Sequence, residues 1–195
     1  IDWDVHHGNG TQDAFFDDPR VFYLSLHIEG HYPGTGAAEE TGVGAGAGTT
    51  LNIPLPAGMS AADYRRAFSD AVRRAFDAAR PDLVIISAGY DCLAGDPLGG
   101  LLLEPADIYG MTREVMELAQ GSAAGRIAAL REGGDVPKRA GAGVVATLRA
   151  LAGLDRARAR LRDGDRGLRL VRAAAGESAR MASRTGFEPS GRASP

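Results

Sequence analysis

Cysteine occurs once in these 195 residues, so no internal disulfide can form, and Cys92 stands beside an aspartate where burial is a better expectation than reactivity. Tryptophan also occurs once, and all four histidines lie before residue 32, which excludes chemistry that needs imidazoles spread along the whole chain. No apolar run approaches the roughly 20 residues that span a bilayer, and no basic-then-apolar leader opens the sequence. The expectation is a cytoplasmic protein with no membrane partner. No internal repeat is visible, and the hydrophobic fraction of 44% is that of an ordinary globular protein.

Charge separates two regions. Residues 1–154 carry 12 basic and 20 acidic groups, whereas residues 155–195 carry 10 basic and 5 acidic, so an acidic body precedes a basic tail and the whole chain has a net charge of −3. From residue 154 the tail is rich in Arg, Ala, Gly and Ser and poor in apolar residues, the composition of a disordered segment. It has no interleaved aromatics, so nucleic acid is not the expected partner.

What the sequence does contain is concentrated at its start. Asp2-Trp3-Asp4-Val5-His6-His7-Gly8-Asn9-Gly10-Thr11 places a potential metal ligand at every second position. On a strand, Asp2, Asp4 and His6 would share one face, with Trp3 and Val5 packed behind them. Two carboxylates that close repel each other, and a divalent cation would keep both ionised. A charged edge strand entering a Gly-Asn-Gly turn is the plainer alternative.

A second segment favours the metal. Leu83-Val84-Ile85-Ile86 reads as a short strand buried on both faces, and it leads into Gly89-Tyr90-Asp91-Cys92-Leu93-Ala94-Gly95-Asp96-Pro97-Leu98-Gly99. Parallel α/β sheets place ligands at the carboxyl ends of their strands, which is where Asp91 falls. Asp4, His6 and Asp91 would then give three ligands and an open coordination position, the pattern of a hydrolytic zinc centre.

Between and after these motifs, helices alternate with strands. Val21 to Leu26 is a strand of β-branched and aromatic type. Ser60 caps a helix with Asp63 three residues on, its stripe running from Tyr64 through Phe68 and Val72 to Phe76 before Pro81 ends it. A second helix starts near Pro105 with Ile108, Met111, Val115 and Leu118 inward; a weak strand at residues 127–130 and a helix through Val144, Leu148 and Leu151 follow. The βαβ order predicts a mainly parallel sheet with helices on both faces. Thr41 to Gly48 imitates a phosphate-binding glycine loop, but it runs into a strand rather than a helix, so a flexible rim loop is expected.

The motifs together resemble a family. Asp-x-Asp-Val-His-His-Gly-Asn-Gly-Thr, Ser25-Leu26-His27, Tyr32-Pro33-Gly34-Thr35-Gly36, Asn52-Ile53-Pro54-Leu55 and Gly89-Tyr90-Asp91 through Gly99 occur in this order in zinc-dependent deacetylases. Over about residues 1–153 the chain resembles the carboxyl-terminal half of a bacterial histone deacetylase or acetylpolyamine amidohydrolase, a partial domain of the arginase/deacetylase α/β fold. The sequence starts at the metal-binding strand without an initiator Met, and a fragment lacking its amino-terminal half is expected. By the resemblance, Asp4, His6 and Asp91 match the zinc ligands. Asp2 matches a potassium-site carboxylate, joined by the carbonyls of Asp4, His6 and Leu26 and the Ser25 hydroxyl. A second potassium site would use carbonyls of Phe15, Asp18 and Val21. Tyr32, Gly34 and Leu98 would line the substrate channel, although ordinary core packing of Tyr32 and Leu98 is an equal alternative.

Arginases need a further ligand at position 8 for a second metal, and Gly8 cannot serve. Two-metal phosphoesterases need histidine clusters this chain does not have. The resemblance implies hydrolysis of an N-acetyl amide, in acetyl-lysine or an acetylpolyamine, to acetate and an amine. The family's general-base histidine pair lies upstream of this segment, so His7 is expected to be structural and His27 and His31 to have core or rim roles. Where the family has an oxyanion-donating tyrosine in Gly-Gly-Tyr, Gly133-Gly134 is followed by Asp135. A carboxylate there repels an oxyanion, and loss of one such donor costs on the order of 10² to 10³ in rate. The expectation is therefore an impaired deacetylase, or a remnant that binds metal without catalysis.

Overall fold

Residues 1–154 are described by the computed structural model; the basic tail from residue 155 onward lies outside the described residues. Among the described residues, an extended opening segment is followed by four strands and four α-helices that alternate except between the first two strands, which a short 3₁₀ turn separates. Strands β1 (Tyr23–Ile28) and β2 (Thr50–Leu55) pair in parallel, as do β3 (Val84–Ala88) and β4 (Ile127–Arg131). The opening residues join the two pairs. Asp2 bridges Ser25 on one side and Ser87 on the other, with Asp2 N–H donating to the Leu24 carbonyl at 2.7 Å and Ser87 N–H to the Ile1 carbonyl at 2.8 Å. The order is thus β2, β1, residues 1–3, β3, β4, all parallel.

Helix α1 (Asn9–Phe15) is short, and α2 (Ala61–Ala79) is the first long one. The Ser60 hydroxyl accepts from the Asp63 N–H at 3.1 Å, which satisfies an amide the first turn cannot. Arg80 then turns left-handed, returning its N–H to the Phe76 carbonyl. The face Tyr64, Phe68, Val72 and Phe76 is buried, and Phe68 meets Trp3 edge-on with ring centroids 6.0 Å apart. Helix α3 (Pro105–Ser122) starts at its proline and buries Ile108, Met111 and Val115, with Leu118 partly buried. These helices enclose a core with Trp3, Leu24, Leu26 and Ile86.

Helix α4 (Pro137–Leu151) packs on α3 through its small residues. Its buried residues are Ala140, Gly143, Ala146, Thr147 and Ala150, whereas Leu148 is exposed and Val144 only partly covered. The cause is close approach: a Cβ at Gly143 would run into the Tyr90 ring, whose hydroxyl donates to Thr147 at 3.0 Å. Strand β3 departs from expectation. Val84, Ile86 and Ala88 are buried, but Leu83, Ile85 and, on β4, Leu130 are each about half exposed, so this part of the sheet is covered on one face only. The 41–48 segment is tied down rather than loose. Val43 N–H donates to the Phe16 carbonyl and Gly48 N–H to Thr41, and a short 3₁₀ turn at Gly44–Gly46 leads into β2.

Candidate metal centre

The extended segment breaks after Trp3, and that break builds the site. Asp2 Oδ1 accepts from the Asp4 N–H at 3.0 Å, and Asp4 Oδ1 in turn accepts from the His6 N–H at 2.9 Å. Short acidic side chains commonly capture the amide two residues on, and two such turns in succession bend the chain out of the strand. Asp2, Asp4 and His6 consequently do not share a face. Asp2 turns to the Tyr23 hydroxyl, which donates to it at 3.1 Å, while Asp4 and His6 meet Asp91 at the carboxyl end of β3.

One ligand atom from each of Asp4, His6 and Asp91 lies within 4.8 Å of the other two. His6 Nδ1 is 2.9 Å from Asp4 Oδ1 and 3.3 Å from Asp91 Oδ2, so the imidazole turns one nitrogen to both carboxylates. Asp91 is buried, and burial first, then the Asp4 carboxylate, push it up to about 7; the Val5 N–H and His6 oppose that shift. A divalent cation would relieve both destabilising causes. Two carboxylates and one imidazole suit zinc with an open position.

Main-chain groups orient these side chains. Val5 N–H donates to Asp91 Oδ1 at 3.1 Å and Gly133 N–H to Asp4 Oδ2 at 2.9 Å. A side chain at Gly133 would collide with both carboxylates, and one at Gly89 would collide with Asp4. The contacts of Val5, Gly89 and Gly133 with the cluster are not visible in the sequence, where the two glycines appear only as parts of motifs. A Cβ at position 8 would meet the Tyr23 hydroxyl and Asp2, so Gly8 belongs to the Asp2 surroundings rather than to the triad.

Around Asp2 the structure gathers Ser25, fully buried and in register with it, and Leu26, whose N–H donates to the Asp2 carbonyl at 3.0 Å. Burial, together with lesser repulsion from Asp4, raises Asp2 to about 7 against the Asp4 N–H and Tyr23 hydroxyl that lower it. Phe15 ends α1 and Asp18 and Val21 follow it on a wound loop, in which Asp18 N–H donates to the Phe15 carbonyl and Val21 N–H to the Asp18 carbonyl; the Asp18 carboxylate is held by Arg20.

The histidines sort clearly. His7 is buried, with Nδ1 paired to Thr35 Oγ1 at 2.8 Å and Nε2 to Gln12 Oε1 at 3.0 Å, and His27 is buried between Ser25 Oγ and the Gly36 carbonyl. Neither ring has a nitrogen left for the cluster. His31 is the other imidazole near it, its ring centroid 6.1 Å from that of His6. Tyr32 is 81% exposed with its ring 6.5 Å from His6, and Leu98 is 54% exposed, so neither is a core residue. Gly34 makes the intervening turn at φ +79°. Asp135 is exposed, two residues beyond the Gly133 amide, and its own N–H donates to Asp96 Oδ2 at 2.8 Å. Cys92 is fully buried, as expected.

Comparison with known proteins agrees with this geometry. Residues 1–151 match the family model described as histone deacetylase domain. Histone deacetylase 10, chloroplastic, of Oryza sativa subsp. japonica is 44% identical over 153 residues, 78% of this chain and 34% of the rice protein. A probable deacetylase of Archaeoglobus fulgidus is 40% identical over 134 residues, 69% of this chain and 37% of that one. Among solved structures, the histone deacetylase Clr3 aligns with a TM-score of 0.73 at 44% identity, covering 79% of this chain and 26% of Clr3. The HDA15 HD domain gives 0.73 at 41% identity, covering 78% and 43%. The chain spans about a third of the length of these two curated relatives.

Proposed function

The chain belongs to the histone deacetylase family, and on that premise we propose that it forms the zinc-holding part of a deacetylase acting on N-acetyl amides, acetyl-lysine or acetylpolyamine being the substrate class. The observation that carries this is the convergence of Asp4, His6 and Asp91 within 4.8 Å. Zinc, when bound, polarises the acetyl carbonyl and makes water a nucleophile near neutral pH. Asp4, His6 and Asp91 would hold it, while the Val5 and Gly133 amides fix the two carboxylates in place. Tyr32 and Leu98, exposed at the rim, would flank the substrate's aliphatic arm. The buried Asp2 carboxylate, with Ser25, Leu26 and the carbonyls of Asp4 and His6, is proposed as a potassium site, and the Phe15, Asp18 and Val21 loop as a second. Metal analysis after dialysis is expected to find about one zinc per chain and its loss in Asp91→Ala. Unchanged stoichiometry in that variant would refute the ligand assignment.

A second reading, a metal-binding chain without catalysis, is favoured by one observation: both ring nitrogens of His7 and of His27 are engaged away from the triad. Asp135, standing where the family resemblance puts an oxyanion donor, supports the same reading. Turnover of an acetylated substrate separates the two.

A further inference from the structure

Asp96 lies between two loops and belongs to neither the triad nor its immediate hydrogen-bond donors. It is 8% exposed, and both carboxylate oxygens are used by main-chain amides: Oδ1 accepts from the Leu98 N–H at 3.0 Å and Oδ2 from the Asp135 N–H at 2.8 Å. The first bond is local, two residues along the same loop. The second crosses 39 residues to the segment that leaves β4.

That segment is fastened on both sides of the amide that touches the metal ligands. Upstream, Glu132 N–H donates to the Ala88 carbonyl at 3.1 Å. Downstream, the Gly133 carbonyl accepts from Tyr90 N–H at 3.0 Å and the Asp96 carboxylate holds Asp135. Between these ties Gly133 N–H donates to Asp4 Oδ2, with no room for a side chain against Asp4 or Asp91. Further on, Arg139 pairs with Glu104 at the start of α4, four residues past Asp135. Without the Asp96 tie, Gly134, at φ +124°, and Asp135 would be held on this side only by the Tyr90 bond to Gly133 and the Arg131 bond to Gly134, and the Gly133 amide could shift on Asp4.

We propose that Asp96 is a positioning residue for the metal centre: by bridging Leu98 and Asp135 it holds the Gly133 amide on Asp4 and sets where the side chain of residue 135 enters the site. The inference rests on the metal reading above. Groups that orient metal ligands typically change affinity by about 10- to 100-fold when removed, and the same range is expected here.

The test uses the full 195-residue chain with zinc, measured by competition against a chromophoric chelator, and with cobalt(II), whose visible spectrum reports ligand geometry. Asp96→Ala is expected to weaken zinc binding by about 10- to 100-fold, to alter the cobalt spectrum and to speed amide hydrogen exchange at Gly133 and Asp135. Asp96→Asn keeps one acceptor oxygen and removes the charge, so its affinity should fall between the other two. Thr147→Val, which removes the Tyr90 hydrogen bond on α4, should lower the thermal midpoint and leave zinc affinity and cobalt spectrum as in the wild type. Wild-type affinity and spectrum in Asp96→Ala would overturn the proposal, and so would equal losses in the Ala and Asn variants, which would make the effect one of charge. Should Asp96→Ala fail to fold, Asp96→Asn with wild-type affinity and Asp135 exchange overturns it. A wild-type chain that takes up neither metal overturns both this proposal and the metal reading.

Discussion

Val5 N–H donates to Asp91 Oδ1 at 3.1 Å, a bond that spans 86 residues and ties the residue lying between Asp4 and His6 to the third member of the cluster. Chain direction in the opening motif and the exit of β3 are thereby locked to each other. The triad is held by main chain rather than by long side chains.

Removing that amide should disconnect the centre. Val5→Pro lacks the donor, and its zinc affinity, read by chelator competition, is expected to fall by at least 10-fold. Phe68→Ala provides the contrast: it empties space against Trp3 and should cost about 3–5 kcal/mol of stability in urea unfolding while zinc still binds the folded protein. Equal zinc affinity in Val5→Pro and wild type would show that this amide does not orient Asp91.

His27 gives a pH signature. Burial, and then the His7 ring at 4.8 Å, lower it to about 4 from an unfolded value near 6.5, with the Gly36 carbonyl and Glu40 opposing. Between those values the unfolded chain binds the extra proton. Stability from this group is therefore complete above pH 6.5 and is lost as pH falls towards 4, by at most roughly 3.5 kcal/mol at about 1.4 kcal/mol per unit. The raised Asp2 and Asp91 act in the opposite sense, losing their contribution as pH rises towards 7, and are common to wild type and variant. Subtracting a His27→Gln urea-unfolding series from the wild-type series between pH 4 and 7.5 isolates the histidine; parallel profiles would contradict the assignment.

Activity should be negligible in the chain by itself. No histidine but His31 remains to take a proton near the triad, and a carboxylate at position 135 would oppose an oxyanion on the proposed substrate. Asp135→Tyr alone is expected to leave acetyl-lysine peptide and acetylpolyamine unhydrolysed. Joined to the preceding half of a relative, the chain should turn over substrate, and Asp135→Tyr should then raise kcat by about 10² to 10³. Zinc-dependent turnover by the unmodified chain would make His31 the first candidate base.

The half-exposed row Leu83, Ile85 and Leu130 should make the chain associate with itself as concentration rises. Sedimentation velocity on Leu130→Lys is expected to show less association than wild type; identical profiles would place the contact elsewhere.

The convergence of Asp4, His6 and Asp91 was legible in the sequence because the three are chemically distinctive and Asp91 ends a recognisable strand. Helix starts were legible for the same local reason: Ser60 and Pro105 are capping chemistry. The orientation of Asp2 was not, because period-2 alternation assumes the strand continues, whereas Asp2 and Asp4 each bend it by capturing the amide two residues on. That signal, aspartate at both i and i+2, was present and outweighed by the alternation. On α4 the apolar residues surround the helix, so periodicity could not choose a face; the tight fit of Gly143 on Tyr90 chose it. The Asp96 bridge was hidden because its second bond is to Asp135, which only the fold brings close.

Residues 1–3 form the rung between β1 and β3, and this bears on how quickly the sheet can assemble. The β1–β2 and β3–β4 pairs each close over a few tens of residues, but Ile1 must find Ser87, and no strand in between substitutes for it. The metal motif begins at that same rung. Closing so long a loop before any reward is collected slows folding. The triad, which needs Asp4 and Asp91 on opposite sides of that closure, can form only late in the process, so a zinc ion present during refolding should speed the final step more than the early collapse.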